Sequence, residues 1–264
     1  MNSTLSLNTA NNAVAGAMYL YALGDCADVV PEGLTGLFDA PVTGLTIGGF
    51  QAVISPIEPV RIRPERRHLT AHQRVLHTLM AKSTVLPVAF GMILPHVARL
   101  TRTVETSHET LAEELDRVRG CVEMSVRLSL DVPSIFQYFI ETDSSLRMAR
   151  DEMISAGLPH ASKVAVGQMF ERALKTRCEQ EGSRVIAELE PAAVELVTDE
   201  PKTEAEILRL SALVDRSCLQ DFERRVHAVA ETFDSSYRFD FSGPWAPHSF
   251  VRLHLDPGHE SKKA

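Results

Sequence analysis

Cysteine and long apolar runs are both scarce in this chain, and each scarcity closes off a class of protein. The four cysteines, Cys26, Cys121, Cys178 and Cys218, are spread over 264 residues without a CxxC pair. That spacing excludes a disulfide framework or a zinc knuckle and leaves buried or half-buried thiols of a reducing compartment. The longest apolar run, Val85 to Leu94, contains Pro87 and falls far short of the roughly 20 residues that cross a bilayer. No membrane is expected as a partner. Lys and Arg number 27 against 35 Asp and Glu, a net charge of -8, and without clustered cations to release counterions no nucleic acid is expected either. The opening stretch MNSTLSLNTANNAVAGA lacks the positive start and continuous apolar core of a secretory signal. Residues 1–16 are expected as a flexible tail, and 257–264 as a charged one.

Catalytic signatures are missing as well. No GxxxxGKS occurs, Gly44, Gly48 and Gly49 do not form GxGxxG, and there is no GxSxG elbow, so nucleotide, dinucleotide and acyl-transfer chemistry have no residues to stand on. His68 and His72 could share a metal at helical i and i+4 spacing, but His77 falls on another side and no HExxH glutamate stands between them. The pairs Glu113, Glu114 and Glu188, Glu190 read as solvated helix faces. No catalytic residue, metal or cofactor is expected, and the chain reads as a non-enzyme.

What is present is a regular alternation of strands and helices. Ala17 to Leu23, Val42 to Ile47 and Phe50 to Ser55 alternate as strands, the last two joined by the hairpin pair Gly48-Gly49. Glu65 to Lys82 reads as a helix with Leu69, His72, Leu76 and Leu79 on one face, and Val85 to Phe90 as a central strand. A helix over His96 to Arg119 follows, stopped by Gly120. Cys121 to Leu130 alternates cleanly, with Glu123, Ser125, Arg127 and Ser129 on its polar side. Helical sequence over Ser144 to Leu189 breaks near Gly157 to Pro159. Leu208 to Val214 then reads as a strand, Cys218 to Phe233 as a helix, Tyr237 to Phe241 as a strand and Phe250 to Leu255 as a last one. The fold class is α+β: a modified ferredoxin-like domain over 17–119, with its first crossover helix shrunk to the turn Gly33 to Phe38, and a second helix-on-sheet domain over 120–256.

Two segments carry a resemblance. Residues His72, Val75, Leu76 and Leu79, followed by Thr84, Val85, Leu86, Pro87, Phe90 and Gly91, resemble the HxxVLxxL and tVLPxrFGt elements of the gas vesicle protein F and L family. The segment Ser242 to Leu253 is similar to that family's GPWpPYSFv element through Gly243, Pro244, Trp245, Pro247, Ser249, Phe250 and Val251. YLYAL at Tyr19 to Leu23 is similar to its opening strand, and EGLTGL at Glu32 to Leu37 to its GLxG turn. Ala89 and His248 stand where the family commonly has arginine and tyrosine.

The resemblance implies a cytoplasmic, gas-vesicle-associated accessory protein that binds the small hydrophobic shell subunit and other accessory proteins during vesicle formation. It also marks His72, Leu76, Pro87, Phe90, Gly91, Gly243, Pro244, Trp245, Pro247 and Phe250 as interaction candidates. Two other readings stand beside it: a minor structural component of the shell, and a ligand-binding or enzymatic ferredoxin-like protein, since fold alone fixes no function. Between its prolines, Trp245 is expected as an aromatic plug of a domain core rather than an exposed anchor.

Overall fold

The computed structural model describes residues 16–25, 30–58, 62–155 and 160–252. These cluster into two compact units, one running through Glu123 and resuming at Pro244, the other Met124–Gly243. The segment from Pro244 onward, expected in the second domain, thus clusters with the first unit. Apart from Gly16, the expected tails lie outside the described residues, as do Cys26 and the helix interruption near Gly157 to Pro159.

The first unit opens with strands β1 (Met18–Asp25), β2 (Thr43–Ile47) and β3 (Phe50–Pro56) and continues through helix α1 (Arg66–Met80). Strands β4 (Val85–Pro87) and β5 (Ile93–Leu94) and helices α2 (Val97–Thr106) and α3 (His108–Arg117) follow. The strand order is β2-β3-β1-β4, with β5 also on β1, and the pairs are antiparallel. This is a ferredoxin-like sheet whose first crossover holds, among the described residues, one 3-10 turn, Leu37–Asp39. The hairpin between β2 and β3 turns on Gly48 and Gly49, with φ 56 and 88, the two left-handed positions of a primed two-residue turn.

Strand β1 is the centre of this unit. Residues Met18 to Leu23 are all 0% exposed, so the strand is covered on both faces, beyond the half-burial its alternation suggested. Its register shifts between Leu20 and Ala22. On the opposite side the chain loops out between β4 and β5, while Val88 N still donates to the Tyr21 carbonyl (2.9 Å) and Leu20 N to the Met92 carbonyl (3.0 Å). The run Val85 to Phe90 is therefore an interrupted edge strand and not a central one. Pro87, which has no N–H to give to a further neighbour, suits that edge.

Helix α1 buries His68, His72, Val75, Leu76, Leu79 and Met80, a stripe set by His68 and not by Leu69, which is 40% exposed. The single helix expected over His96 to Arg119 is broken at Ser107, with φ -108 and ψ 17. Thr101, Thr103 and Thr106 before the break bond back to carbonyls four residues upstream, a habit that bends helices.

The second unit is built from β6 (Cys121–Leu130), α4 (Ile135–Thr142), α5 (Ser144–Ser155), α6 (His160–Leu189), β7 (Glu195–Asp199), β8 (Glu206–Asp215), α7 (Leu219–Ala230) and β9 (Tyr237–Trp245). Its order is β7-β8-β6-β9. Counted along its own run this is second, third, first, fourth, the same plan as the first sheet, with α4 to α6 in the place of the 3-10 turn. The core is Val126, Leu128, Phe139, Val185, Leu189, Leu210, Leu213, Phe222 and Val226, all buried.

Three expectations differ here. Strand β7 was not foreseen, because only Leu196 and Val197 separate its charged and polar ends, and it lies half-exposed at the sheet edge. Strand β9 runs on through Pro244 and Trp245. Val251 and Arg252 are not in a strand, and the rest of the strand expected over Phe250 to Leu255 lies outside the described residues. Of the cysteines, Cys121 is buried, Cys178 half-buried and Cys218 exposed, all as free thiols.

Gly36 precedes the 3-10 turn, and a Cβ there would stand 1.9 Å from Tyr21 Oη. That hydroxyl accepts from Leu37 N (2.9 Å) and pairs with Ser55 Oγ (2.9 Å). Gly36→Ala is expected to destabilise the protein by about 1–3 kcal/mol through overpacking, measured by urea unfolding. Wild-type stability would show that Tyr21 is free to give way.

Candidate functional site

Tyr19 and Tyr21 sit two residues apart on β1, so both rings reach the same face, towards α1. Their centroids are 4.7 Å apart. Tyr19 Oη lies 2.9 Å from His72 Nδ1 and accepts from Gly91 N at 3.0 Å. The phenol donates to Nδ1 in the tautomer that carries the imidazole proton on Nε2. The His72 ring stacks on Tyr21 (5.7 Å, 28°) and meets Phe90 edge-on at 5.8 Å. Gly91 takes φ 92, a left-handed conformation that suits glycine at the point where its N–H turns back to Tyr19.

Into this cluster comes the second signature. His248 lies 6.3 Å from His72, ring to ring. Behind it the chain makes a tight turn: His248 N donates to the Ala246 carbonyl (2.7 Å), and Phe250 N and Val251 N to the Pro247 carbonyl (3.2 and 3.1 Å). Glu123, only 8% exposed, clamps the turn by accepting from both Ser249 N and Ser249 Oγ at 2.8 Å. The Arg117 guanidinium donates to the Phe250 carbonyl and pairs with Glu114 at 2.7 Å. Arg252 N reaches Glu114 at 3.4 Å. Glu123 and Glu114 are thus fastening groups, not members of solvated faces.

The electrostatics follow from burial. His72 is pushed down to about 4, first by desolvation and then by the proximity of His248, with the Val88 carbonyl opposing. His248 is lowered by burial, and burial raises both Tyr19 and Tyr21. At neutral pH the cluster is uncharged. With His72 only 1% exposed, its imidazole is a packing and hydrogen-bonding element of the unit.

The ten candidate residues separate into several roles. His72, Phe90 and Gly91 converge on Tyr19. Leu76 is 0% exposed in the core, and Pro87 pairs with Ala22 at the sheet edge. Pro247 and Phe250 form the clamped turn. Gly243, with φ 139, closes the second unit. Pro244 and Trp245 end β9, but Trp245 is 42% exposed while Phe250 is 1% exposed. Phe250, and not Trp245, is therefore the buried aromatic of this segment.

A family model described as "Gas vesicle synthesis protein GvpL/GvpF" matches residues 17–252. The chain belongs to this family. Among its GvpL/GvpF relatives, gas vesicle protein F of Microcystis aeruginosa (strain PCC 7806) is 26% identical, covering 89% of this chain and 98% of that protein. Gas vesicle protein L of Streptomyces sp. (strain CB03234) is 25% identical over 93% and 97%. The crystal structure of GvpF from Anabaena sp. PCC7120 superposes with a TM-score of 0.81 at 26% identity, covering 90% of this chain and 99% of that one. GvpF from Microcystis aeruginosa gives 0.78 at 25% identity with the same coverage. Of the two departures from the GvpL/GvpF pattern, Ala89 is exposed, while His248 keeps a planar polar ring against His72.

Sequence reading missed Tyr19, Tyr21, Ser55, Glu123 and Arg117 as members of this arrangement. The two tyrosines left a signal, two hydroxyls at strand spacing inside an apolar run. Glu123 left none, since its partner lies 126 positions away.

Two outcomes are expected. The unfolded chain takes a proton on histidine near pH 6.5, whereas folded His72 resists it down to about 4. Stability is therefore level above about pH 6.5 and falls as the pH drops from there to about 4, by up to about 3 kcal/mol. His72→Gln, which keeps an acceptor for Tyr19, flattens most of that slope in urea titrations across pH. An unchanged slope would remove His72 from its origin. Glu123→Gln turns one acceptor into a donor facing Ser249 and is expected to cost about 1–3 kcal/mol, with faster amide exchange confined first to 246–251; slow exchange there would contradict the clamp.

Proposed function

We propose that this chain is a non-catalytic assembly factor of gas vesicle formation, working in the cytoplasm at the growing vesicle and binding the small hydrophobic shell subunit together with other accessory gas vesicle proteins. The observation that carries the reading is the GvpL/GvpF match from 17 to 252, which takes in both sequence signatures and both units. The buried, uncharged state of the cluster around His72 and Tyr19 supports a binding role over a catalytic one. Among the described residues no helix is long and apolar enough to cross a membrane.

The physical reason for such a factor is simple. A subunit whose apolar surface is covered only after polymerisation aggregates beforehand, and a partner that shields it prevents that. Large apolar side chains available for contact include Phe38 (57% exposed) and Trp245 (42%) in the first unit and Phe136 (41%), Met148 (64%) and Ile154 (66%) in the second.

In the test, the shell subunit is diluted from denaturant with and without the intact protein, and light scattering is followed. Suppression of scattering at near-equimolar protein, with co-elution of the pair, is the expected result. No suppression and no co-elution would reject the assembly role. Retention of the protein on intact vesicles after stringent washing would instead favour a structural shell component.

A further inference from the structure

We propose that the open groove between the 3-10 turn Leu37–Asp39 and the first half of α1 binds an acidic segment of a partner protein, with carboxylates on the arginines of α1 and an apolar side chain on Phe38. The inference names a surface and the chemistry of its occupant. It depends on the assembly reading only for which natural protein supplies the segment.

The groove measures about 870 Å³ and is lined by Gly36, Phe38, Asp39, Arg66, Arg67, His68, Thr70, Ala71 and Arg74. Its lining sets three arginines against the one carboxylate of Asp39, in a chain of net charge -8. That is a local reversal of sign and complements an acidic ligand. Arg74 is held in place by donating to the Thr35 carbonyl at 3.2 Å, and Arg67 pairs with exposed Glu65 at 2.9 Å. Arg66 has no ion pair among the described residues.

Three local choices here run against stability, and all face this groove. The first turn of α1 carries Arg66 and Arg67, which oppose the helix dipole; the only acidic group at that end is the N-cap Glu65, which makes no side-chain capping bond and is turned to Arg67. Phe38 and Asp39 hold φ 54 and 57, a left-handed conformation that is costly without glycine, and Phe38 is left 57% exposed. Beside Phe38, at 4.8 Å, His68 is 6% exposed. Its Nδ1 lies 3.0 Å from the Arg63 carbonyl and so donates to it, while its Nε2 has no hydrogen-bond partner. Rules broken together at one place mark function rather than folding.

The probe is a short fluorescein-labelled peptide of alternating glutamate and leucine, compared with its glutamine counterpart by anisotropy on the full chain. The glutamate peptide alone is expected to bind, and more weakly as salt rises. Arg66→Glu with Arg67→Glu is expected to weaken binding about tenfold or more without lowering the melting temperature, since acidic residues suit a helix N-terminus. Phe38→Gly relieves the turn, and is expected to hold or raise the melting temperature while weakening binding severalfold. Equal binding of the glutamine peptide, no binding of either peptide, an unchanged affinity in the double charge reversal, or preference for duplex DNA in competition would each overturn the proposal.

Discussion

Two tyrosine hydroxyls buried in a strand with no exposed surface are the constraint around which the first unit is built. A buried hydroxyl without a partner costs several times what a satisfied one returns, so Tyr19 and Tyr21 dictate much of what surrounds them. Tyr19 requires an acceptor and receives His72 from α1; its second contact, the Gly91 amide, obliges the chain to loop out between β4 and β5. Tyr21 requires Ser55 on the neighbouring strand and the Leu37 amide in the crossover turn, and its hydroxyl leaves room at position 36 for glycine only. Helix, edge strand and crossover are thereby fixed to one strand through four polar contacts. His72 of the sequence signature thus has a buried hydrogen-bonding place beside Tyr19.

The parts of the fold that depend on local pattern could be read directly from the chain. The Gly48-Gly49 hairpin, the Cys121–Leu130 strand and the apolar stripe of α7 were all legible, because turn chemistry and side-chain period are properties of a few consecutive residues. The order of the first sheet is the one a ferredoxin-like expectation carries. What escaped were features set by distant partners. Nothing near Glu123 distinguishes a carboxylate that fastens Ser249 from one that faces water. Nothing near Trp245 says that Phe250, five residues on, takes the buried place. The break at Ser107 was hidden because the apolar spacing continues across it, and β7 because an edge strand needs little apolar content. The candidate site was half legible: the motif residues were found, but the tyrosines that organise them were read only as strand.

Both units use one strand plan, second, third, first, fourth, yet they spend their crossovers differently. Among the described residues, the first unit's initial crossover holds a single strained turn and the second unit's three helices. A short crossover leaves one face of a sheet with less cover, and in the first unit α1 and the turn from Ala246 to Val251 supply part of it. The exposed Phe38 and the arginine-lined groove lie along this economised crossover. The departure from the regular plan and the departure from local stability rules therefore coincide.

The clamp between Glu123 and Ser249 also sets a schedule. A chain emerges from the ribosome N-terminus first, and the turn that Glu123 fastens is made only after the whole stretch Met124–Gly243. At about 5–20 residues per second that interval is on the order of ten seconds. Throughout it His72 lacks the ring of His248, and Glu123 and Arg117 lack the turn they hold. The first unit to be translated is thus the last to be completed, and the nascent protein passes through a stage in which its own aromatic cluster is uncovered. The last segment to leave the ribosome is therefore also the one that closes the first unit.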